Sequence, residues 1–271
     1  MTPNSPSYAS LAPGRSRLLL SEWTKLRTVR STWWTVLAMV VASIGIAALT
    51  GVVISHNWST FTVLQKLAFD PTYMSLSGLL FAELVVGVLG VLVMSAEYGT
   101  GTIRSTLVGT PRRGRVLAAK AVVIGSVTLV VGEVLSFSSY LVGQSLLARP
   151  VPHSTLAQAG VLRAVIGSGI VLGLLGLFAL GIGAIVRHSA GAITAYVGLL
   201  LVVPIILQIL PASFSQPILK FTPLRISNAM MSITGGSQGP AFSPWVGAGI
   251  LAGYVALLLG IGGYLLVRRD A

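Results

Sequence analysis

The sequence predicts an all-α integral membrane protein that crosses the bilayer six times. Hydrophobic residues make up 54% of the 271 residues and charged residues only 9%, whereas soluble domains carry about 25% charged residues. The mean hydropathy is +0.88. Six apolar runs each approach the ~20 residues that a helix needs to cross a bilayer core of about 30 Å. Composition and run length together exclude an ordinary soluble domain.

The formal net charge of +12 comes from Lys and Arg at the ends of the apolar runs. This distribution favours contacts with anionic lipid headgroups and an acidic protein surface over nucleic acid binding. The chain has no cysteine and three scattered histidines, so the sequence shows no disulfide, thiolate site or metal-binding cluster. Residues 1–14 lack the regions of a signal peptide, and we expect them to form a disordered cytosolic tail.

Residues 17–29 predict an amphipathic helix that lies in the membrane interface. Apolar positions recur at i, i+4 and i+7, with basic residues around them. The residues concerned are Leu19, Trp23 and Leu26 on the apolar face and Lys25 and Arg27 beside it. Trp prefers headgroup depth and cations prefer anionic lipid, so the helix would lie along the surface. A plain topology anchor is a compatible alternative.

The positions of Lys and Arg predict the orientation of the spans. We place the six spans at 33–54, 75–94, 121–143, 164–186, 190–210 and 245–267. If the N-terminus is cytosolic, the inner segments hold thirteen Lys and Arg and the outer segments hold five. Basic residues in short loops stay in the cytosol, so we expect both termini inside the plasma membrane. Residues 15–271 then form one six-span domain without an internal repeat.

The last outer connection, residues 211–244, is long and rich in proline. Within it, residues 224–233 predict a short helix, because Arg225, Asn228 and Met231 recur every three residues among apolar positions. If this helix enters the outer leaflet, it would pack on the spans, because backbone at membrane depth that does not span is tolerated only when protein covers it. A disordered loop is the alternative.

Two glycine pairs in the predicted spans also predict close helix packing: Gly169 with Gly173, and Gly249 with Gly253.

The segment between the second and third spans, residues 97–120, carries five of the eighteen Lys and Arg residues. Gly101 loosens the chain after the span, Thr100 or Thr102 can cap a helix, and apolar residues at helical spacing precede Pro111. The pattern predicts a short amphipathic helix on the cytosolic face.

This segment resembles the corresponding loop of type-2 ATP-binding-cassette (ABC) exporter permeases, through Glu97, Gly101, Thr102, Pro111 and Lys120. Residues 18–34 are similar to that family's basic interfacial helix, particularly in actinobacterial members. The resemblance implies that the loop docks on a separate ATPase subunit and transmits its movement. The residues it would place in this coupling segment are Glu97, Tyr98, Gly101, Thr102, Ile103, Arg104 and Thr106. A basic loop that only sets topology is the alternative.

The sequence contains no phosphate-binding GxxxxGK[ST] pattern and no acidic pair that follows a strand. We therefore predict that this chain is not an enzyme and binds no cofactor. The resemblance implies that ATP and Mg²⁺ bind to the partner ATPase. The resemblance also implies a second permease, either another copy or a paralogue, because six spans in this family do not enclose a full pathway. The sequence leaves the substrate open.

Two carboxylates, Glu83 and Glu133, fall near the centres of predicted spans. A charge at that depth costs about 2.5–3.5 kcal/mol, so each must face protein or water. Glu133 also begins a polar stripe that continues through Ser136, Tyr140 and Gln144. The stripe predicts either a lining of the translocation path or interhelical hydrogen bonds that fix packing, worth about 0.6 kcal/mol each.

Three function classes follow from these observations. The first is the permease subunit of an ABC exporter. The second is an ion- or proton-driven secondary transporter that uses Glu83 and Glu133. The third is a membrane scaffold or sensor that transports nothing. A neighbouring gene for an ATPase with a phosphate-binding loop would favour the first over the other two.

Overall fold

A computed structural model describes residues 15–102, 113–234 and 241–268, and no β-strand occurs within these ranges. The helices are α1 Arg15–Thr28, α2 Arg30–Asn57, α3 Val63–Leu67, α4 Pro71–Leu76, α5 Leu79–Gly99, α6 Arg113–Leu146, α7 Val161–Val186, α8 Ser189–Val197, α9 Val203–Ile209, α10 Ala212–Leu219, α11 Pro223–Met231 and α12 Pro244–Arg268. The predicted tail at 1–14 lies outside the described residues, as do Ile103, Arg104 and Thr106.

Six helical stretches of the described chain are long and apolar enough to cross a membrane, which confirms the predicted fold class. They comprise α2, α5, α6, α7, the pair α8 and α9, and α12. In the fifth stretch, a π-helical turn at Gly198–Val202 joins α8 to α9, and Pro204 follows in the first turn of α9. Such turns interrupt the regular hydrogen-bond ladder of a helix.

The second and third spanning helices begin at other residues than predicted. The second spanning helix begins at Leu79 and not at 75, because Asp70 and Pro71 start the separate short helix α4. The Asp70 side chain accepts a hydrogen bond from the Tyr73 backbone N–H at 3.0 Å, and proline suits a first helical position. The third spanning helix begins at Arg113 and not at 121. Residues at the end of the basic segment therefore belong to a spanning helix.

The helix α7 lies at the centre of the bundle and contacts α5, α6, α8 and α12. Small residues allow these close contacts: a Cβ at Gly132 would lie 2.9 Å from the Gly169 carbonyl oxygen. The predicted pair Gly169 and Gly173 faces α6. The second predicted pair differs, because no atom of the described chain lies within 4 Å of a Cβ built at Gly249 or Gly253, and both are exposed.

The six spans place the helix ends on two faces. We call the side with α1, the end of α5 and the end of α12 the terminal face, and the side with α3, α4, α10 and α11 the opposite face. At the opposite face, α11 is the helix predicted at 224–233, and it packs among the spans with Ile226 and Met230 buried. Of the two alternatives for this segment, the structure shows the packed helix.

A buried carboxylate holds α11 in place. The Asp70 Oδ2 atom accepts hydrogen bonds from the Ser232 hydroxyl at 2.9 Å and from the Ile233 backbone N–H at 2.8 Å. The Arg163 guanidinium of α7 donates to the carbonyl oxygens of Met230 and Ser232, each at 3.0 Å. Since Asp70 also caps α4, one side chain links α4 to the end of α11.

Candidate coupling site

Four charged side chains from three helices meet at the terminal face and form what we call the ionic cluster. The members are Glu22 and Lys25 of α1, Glu97 of α5 and Lys120 of α6. The Lys120 Nζ atom lies 2.7 Å from Glu22 Oε2 and 2.7 Å from Glu97 Oε1. The Lys25 Nζ atom lies 2.7 Å from Glu22 Oε1 and 2.8 Å from Glu97 Oε1. Each lysine therefore bridges the same two carboxylates.

Burial distinguishes the two lysines of the cluster, because Lys120 is buried and Lys25 is accessible. The Lys120 side chain is 1% exposed and donates a third hydrogen bond to the Val93 carbonyl oxygen at 3.3 Å. The Lys25 side chain is 45% exposed. Burial opposes the charge of Lys25, but the hydrogen bonds and negative charges of Glu22 and Glu97 outweigh it and raise the pKa of Lys25. The Lys25 ammonium is therefore charged at neutral pH.

A break in the helix gives α1 its position beside α6. Val29 has an extended backbone, with φ −79° and ψ 107°, between the end of α1 and the start of α2. The Trp33 indole N–H donates to the Arg27 carbonyl oxygen at 3.0 Å and fixes the corner. The predicted apolar side chains are only partly buried: Leu19 and Leu26 are half-buried and Trp23 is 47% exposed. Among the α1 residues whose side chains the structure describes, Glu22 is the buried one, so an ion pair anchors this helix to the bundle.

Tyr98, the residue after Glu97, contacts the end of α7. The Arg187 guanidinium lies 5.0 Å from the centroid of the Tyr98 ring, within the range of a cation–π interaction. Arg187 also ends α7 and donates to the Leu265 carbonyl oxygen of α12 at 2.8 Å. The Arg113 guanidinium donates to the next carbonyl of α12 at 3.2 Å. Adjacent residues of α5 thus contact α1 and α6 on one side and the α7 end on the other.

A glycine in the left-handed conformation, Gly101, lies two residues beyond the end of α5. Gly101 has φ +70°, a conformation that costs other residues energy, and its N–H donates to the Tyr98 carbonyl oxygen at 3.2 Å. The Thr100 and Thr102 hydroxyls lie 2.9 Å apart. The predicted coupling residues Glu97, Tyr98, Gly101 and Thr102 are therefore adjacent in an ordered helix end, directly before residues 103–112.

The polar stripe of α6 faces neighbouring protein segments. The Ser136 hydroxyl donates to a carbonyl oxygen of α7 at 2.6 Å, and the Tyr140 hydroxyl donates to the Ser154 carbonyl oxygen at 2.8 Å. The Gln144 amide donates to a carbonyl oxygen of α4 at 2.9 Å. Glu133 is half-buried and its carboxyl lies over a glycine of α7. These contacts hold helices together, and a path-lining role for the stripe stays a prediction.

The other predicted carboxylate, Glu83, joins α5 to α8 and α11. Its Oε1 atom accepts a hydrogen bond from the Ser227 hydroxyl of α11, and its carbonyl oxygen accepts one from the Tyr196 hydroxyl at 2.8 Å. Its Oε2 atom has no hydrogen-bond partner among the described residues. Because Glu83 packs on α8 and α11 and Glu133 on α7, the structure does not join them in one site.

Sequence reasoning missed Glu22 and Asp70, which the structure places at two junctions between helices. The rarity of acidic residues could have pointed to both of them, since the chain has only six Asp and Glu residues. An isolated acid in the basic α1 region, or directly before Pro71, is unusual in a sequence of this composition. Both residues are buried, at 5% and 2% exposure, and each carboxylate accepts several hydrogen bonds.

The fold defines a multi-pass membrane protein. No group of three or more potential metal-binding side chains occurs in the described part of the chain. Residues 18–182, more than half of the chain, match the family described as ABC-2 family transporter protein. The chain belongs to this family, which makes it a membrane permease of the ABC transporter class. None of the curated proteins matches the sequence.

Proposed function

We propose that this chain is the membrane subunit of an ATP-driven exporter and that the ionic cluster transmits the movement of a separate ATPase to the spans. One observation carries the proposal: Glu97, at the start of the coupling segment, is bonded to both α1 and α6. A force applied to residues 97–112 would act on three helices at once. By the family resemblance, the ATPase docks on this segment and supplies ATP and Mg²⁺.

The burial of the cluster suits the transmission of force. Buried ion pairs add little net stability compared with apolar side chains, but loss of one partner costs about 3–5 kcal/mol because the other charge stays buried. The end of α5 therefore moves away from α6 only at a large energetic cost. We infer that α1, α5 and α6 move as one unit at the terminal face.

Contacts along α5 extend this unit towards the opposite face. A Cβ at Gly90 would collide with the backbone of α7, which shows how closely α5 and α7 pack. Further along, the Glu83 side chain accepts a hydrogen bond from Ser227 of α11. A displacement of α5 at the terminal face would therefore act on α11, the helix directly before the last span. These contacts support an inward-open to outward-open transition by rigid-body motion.

A second permease, identical or paralogous, would complete the translocation path. In the described part of the chain, α12 has an exposed surface of small residues. A Cβ atom added at Gly249 or Gly253 would have no neighbouring atom within 4 Å. Exposed glycines on a spanning helix permit another helix to approach closely. This surface supports the proposal that the permease works as a dimer in the plasma membrane.

Two matched variants test the role of the cluster. Glu97→Gln and Glu22→Gln each remove one negative charge that both lysines contact at 2.7–2.8 Å. Of the two, only Glu97 belongs to the coupling segment. We expect a similar loss of thermal stability in both variants. In Glu97→Gln alone, we expect ATP hydrolysis by the complex to continue with far less transport per ATP, which is measured in reconstituted vesicles.

The comparison between the variants separates coupling from structural support. If both variants reduce transport per ATP equally, the cluster only stabilises the fold. If Glu97→Gln transports at the wild-type ratio, residues 97–112 act on the spans by another route. In that case the basic segment serves to set topology.

A further inference from the structure

Two adjoining cavities lie beneath α1, between α1, α2, α5 and α6. One has a volume of about 370 Å³ and an almost entirely apolar wall that includes Trp33, Val127 and Val131. The other has a volume of about 590 Å³ and reaches the ionic cluster. Leu26 and Leu89 line both cavities. Volumes of about 300–1,000 Å³ are typical of pockets that hold small ligands.

The mouth of the apolar cavity is basic. Arg27 lines this cavity and is exposed, while half-exposed Lys25 lines the neighbouring one. Residues 15–30 carry five Lys and Arg against a single Glu. Trp23 and Trp33 flank the entrance with 47% and 60% exposure. Exposed Trp beside basic residues marks the headgroup level of a bilayer.

We propose that this groove binds one anionic phospholipid from the leaflet at the terminal face. One acyl chain lies in the apolar cavity beneath α1, and the phosphate lies near Arg27 and Lys25. The occupant is a lipid because three spanning helices, α2, α5 and α6, form the apolar cavity together with α1. It is anionic because the accessible charges at the mouth are cations.

Shape and charge, and not the hydrophobic effect, would select this lipid. An acyl chain that enters the cavity leaves one hydrocarbon environment for another, so it gains contacts with fixed walls but little from leaving water. A basic residue near the membrane surface contributes about 1 kcal/mol to binding of an anionic lipid, which corresponds to about a fivefold change in affinity. The bound phosphate would also lie beside Lys25, a member of the ionic cluster.

Native mass spectrometry of the purified full-length chain tests this site. The probes are dioleoyl phosphatidylglycerol and dioleoyl phosphatidylcholine, titrated separately in detergent. We expect one phosphatidylglycerol to bind more tightly than phosphatidylcholine. Val127→Trp fills the apolar cavity and should abolish this tight binding. Val134→Trp is the control, because Val134 is 59% exposed on the same helix and lines none of these cavities.

A second pair of variants tests the charge. Arg27→Gln should lower the preference for phosphatidylglycerol about fivefold, whereas Arg149→Gln, an exposed arginine before α7, should leave it unchanged. If Val127→Trp does not fold, Ser126→Phe fills the same cavity from the adjacent position. Equal binding of the two lipids by the wild type, or equal losses in variant and control, would overturn the site. The measurement uses no ATP, so it is independent of the proposed transport function.

Discussion

Lys120 combines a full charge with nearly complete burial at the junction of α1, α5 and α6. Its ammonium satisfies two carboxylates and one backbone carbonyl, and only 1% of the side chain is exposed. An apolar substitute of similar length would leave Glu22 and Glu97 with Lys25 as their one remaining lysine. The electrostatic balance of the junction therefore depends on this residue more than on the accessible Lys25.

We predict unequal effects of Lys120→Met and Lys25→Met on stability. Lys120→Met should lower the free energy of unfolding by about 3–5 kcal/mol, because it leaves carboxylate charge buried. Lys25→Met should cost about 0.2–1 kcal/mol, since Lys25 is half-exposed and solvent screens its pairs. Unfolding in mixed micelles measures both changes. Equal losses would show that burial does not control the energetics of the cluster.

The sequence reveals some residues of the junction and hides others. The sequence identifies Glu97 and Lys120 through a family-like pattern, and Lys25 through a basic helix. It does not predict that these residues contact one another, because Lys25 and Glu97 are far apart in sequence and no local periodicity encodes a contact between helices. Glu22 was missed because a single carboxylate in a basic helix looks like a solvated surface residue. Its burial depends on the break at Val29, which tertiary packing decides.

At the level of elements, the attachment of α11 depends on one carboxylate. Asp70 caps α4 through Oδ1 and accepts from Ser232 and Ile233 through Oδ2. An asparagine has one acceptor oxygen and one N–H₂ donor in place of the two carboxylate oxygens. Its N–H₂ group would therefore face either the Tyr73 N–H or the donors of Ser232 and Ile233. The connection between α4 and α11 therefore requires the carboxylate.

We predict that Asp70→Asn loosens α11 without loss of the spanning helices. The unsatisfied donors should lower the free energy of unfolding by about 1–3 kcal/mol. Ser232→Ala removes a single donor and should cost less. Hydrogen exchange of residues 223–234 should accelerate in Asp70→Asn while exchange in α7 stays slow. Unchanged exchange in 223–234 would show that packing of Ile226 and Met230 alone holds the helix.

Hydropathy in the sequence correctly predicts where the spanning helices lie. Every predicted span falls on an observed apolar helix, because ~20 apolar residues have no other stable state in a bilayer. The ends are less predictable. The third spanning helix includes Lys120, which the bundle buries with acidic partners, whereas hydropathy counts such a residue as part of a loop. Likewise, α4 separates from α5 through a capping contact that hydropathy does not register.

At the scale of the whole molecule, the charge asymmetry predicts that the terminal face lies in the cytosol. The chain has no cysteine, so single cysteines can be introduced without background. We expect Thr28→Cys at the terminal face to be shielded from an impermeant thiol reagent in intact cells. Thr155→Cys at the opposite face should be labelled, and both side chains are exposed. Labelling of Thr28→Cys in sealed cells would reverse the proposed orientation.

Energy source separates the exporter from an ion-driven carrier. A proton-coupled carrier needs a carboxylate that gains and loses a proton in each cycle, and Glu83 and Glu133 are the candidates within the spans. In an ATP-driven permease they need only accept hydrogen bonds, as Glu83 does from Ser227. Glutamine retains an acceptor oxygen but does not titrate. Glu83→Gln and Glu133→Gln therefore distinguish the two mechanisms.

The most direct measurement is flux in vesicles that contain the chain and its ATPase partner, with a compound whose export from cells depends on the chain. ATP is supplied, and an ionophore collapses the proton gradient. The ATP-driven account predicts that flux persists, survives Glu83→Gln and Glu133→Gln, and falls in Glu97→Gln while ATP hydrolysis continues. The account would be contradicted if flux disappears when the proton gradient is collapsed, and also disappears when Glu83 or Glu133 is replaced by glutamine.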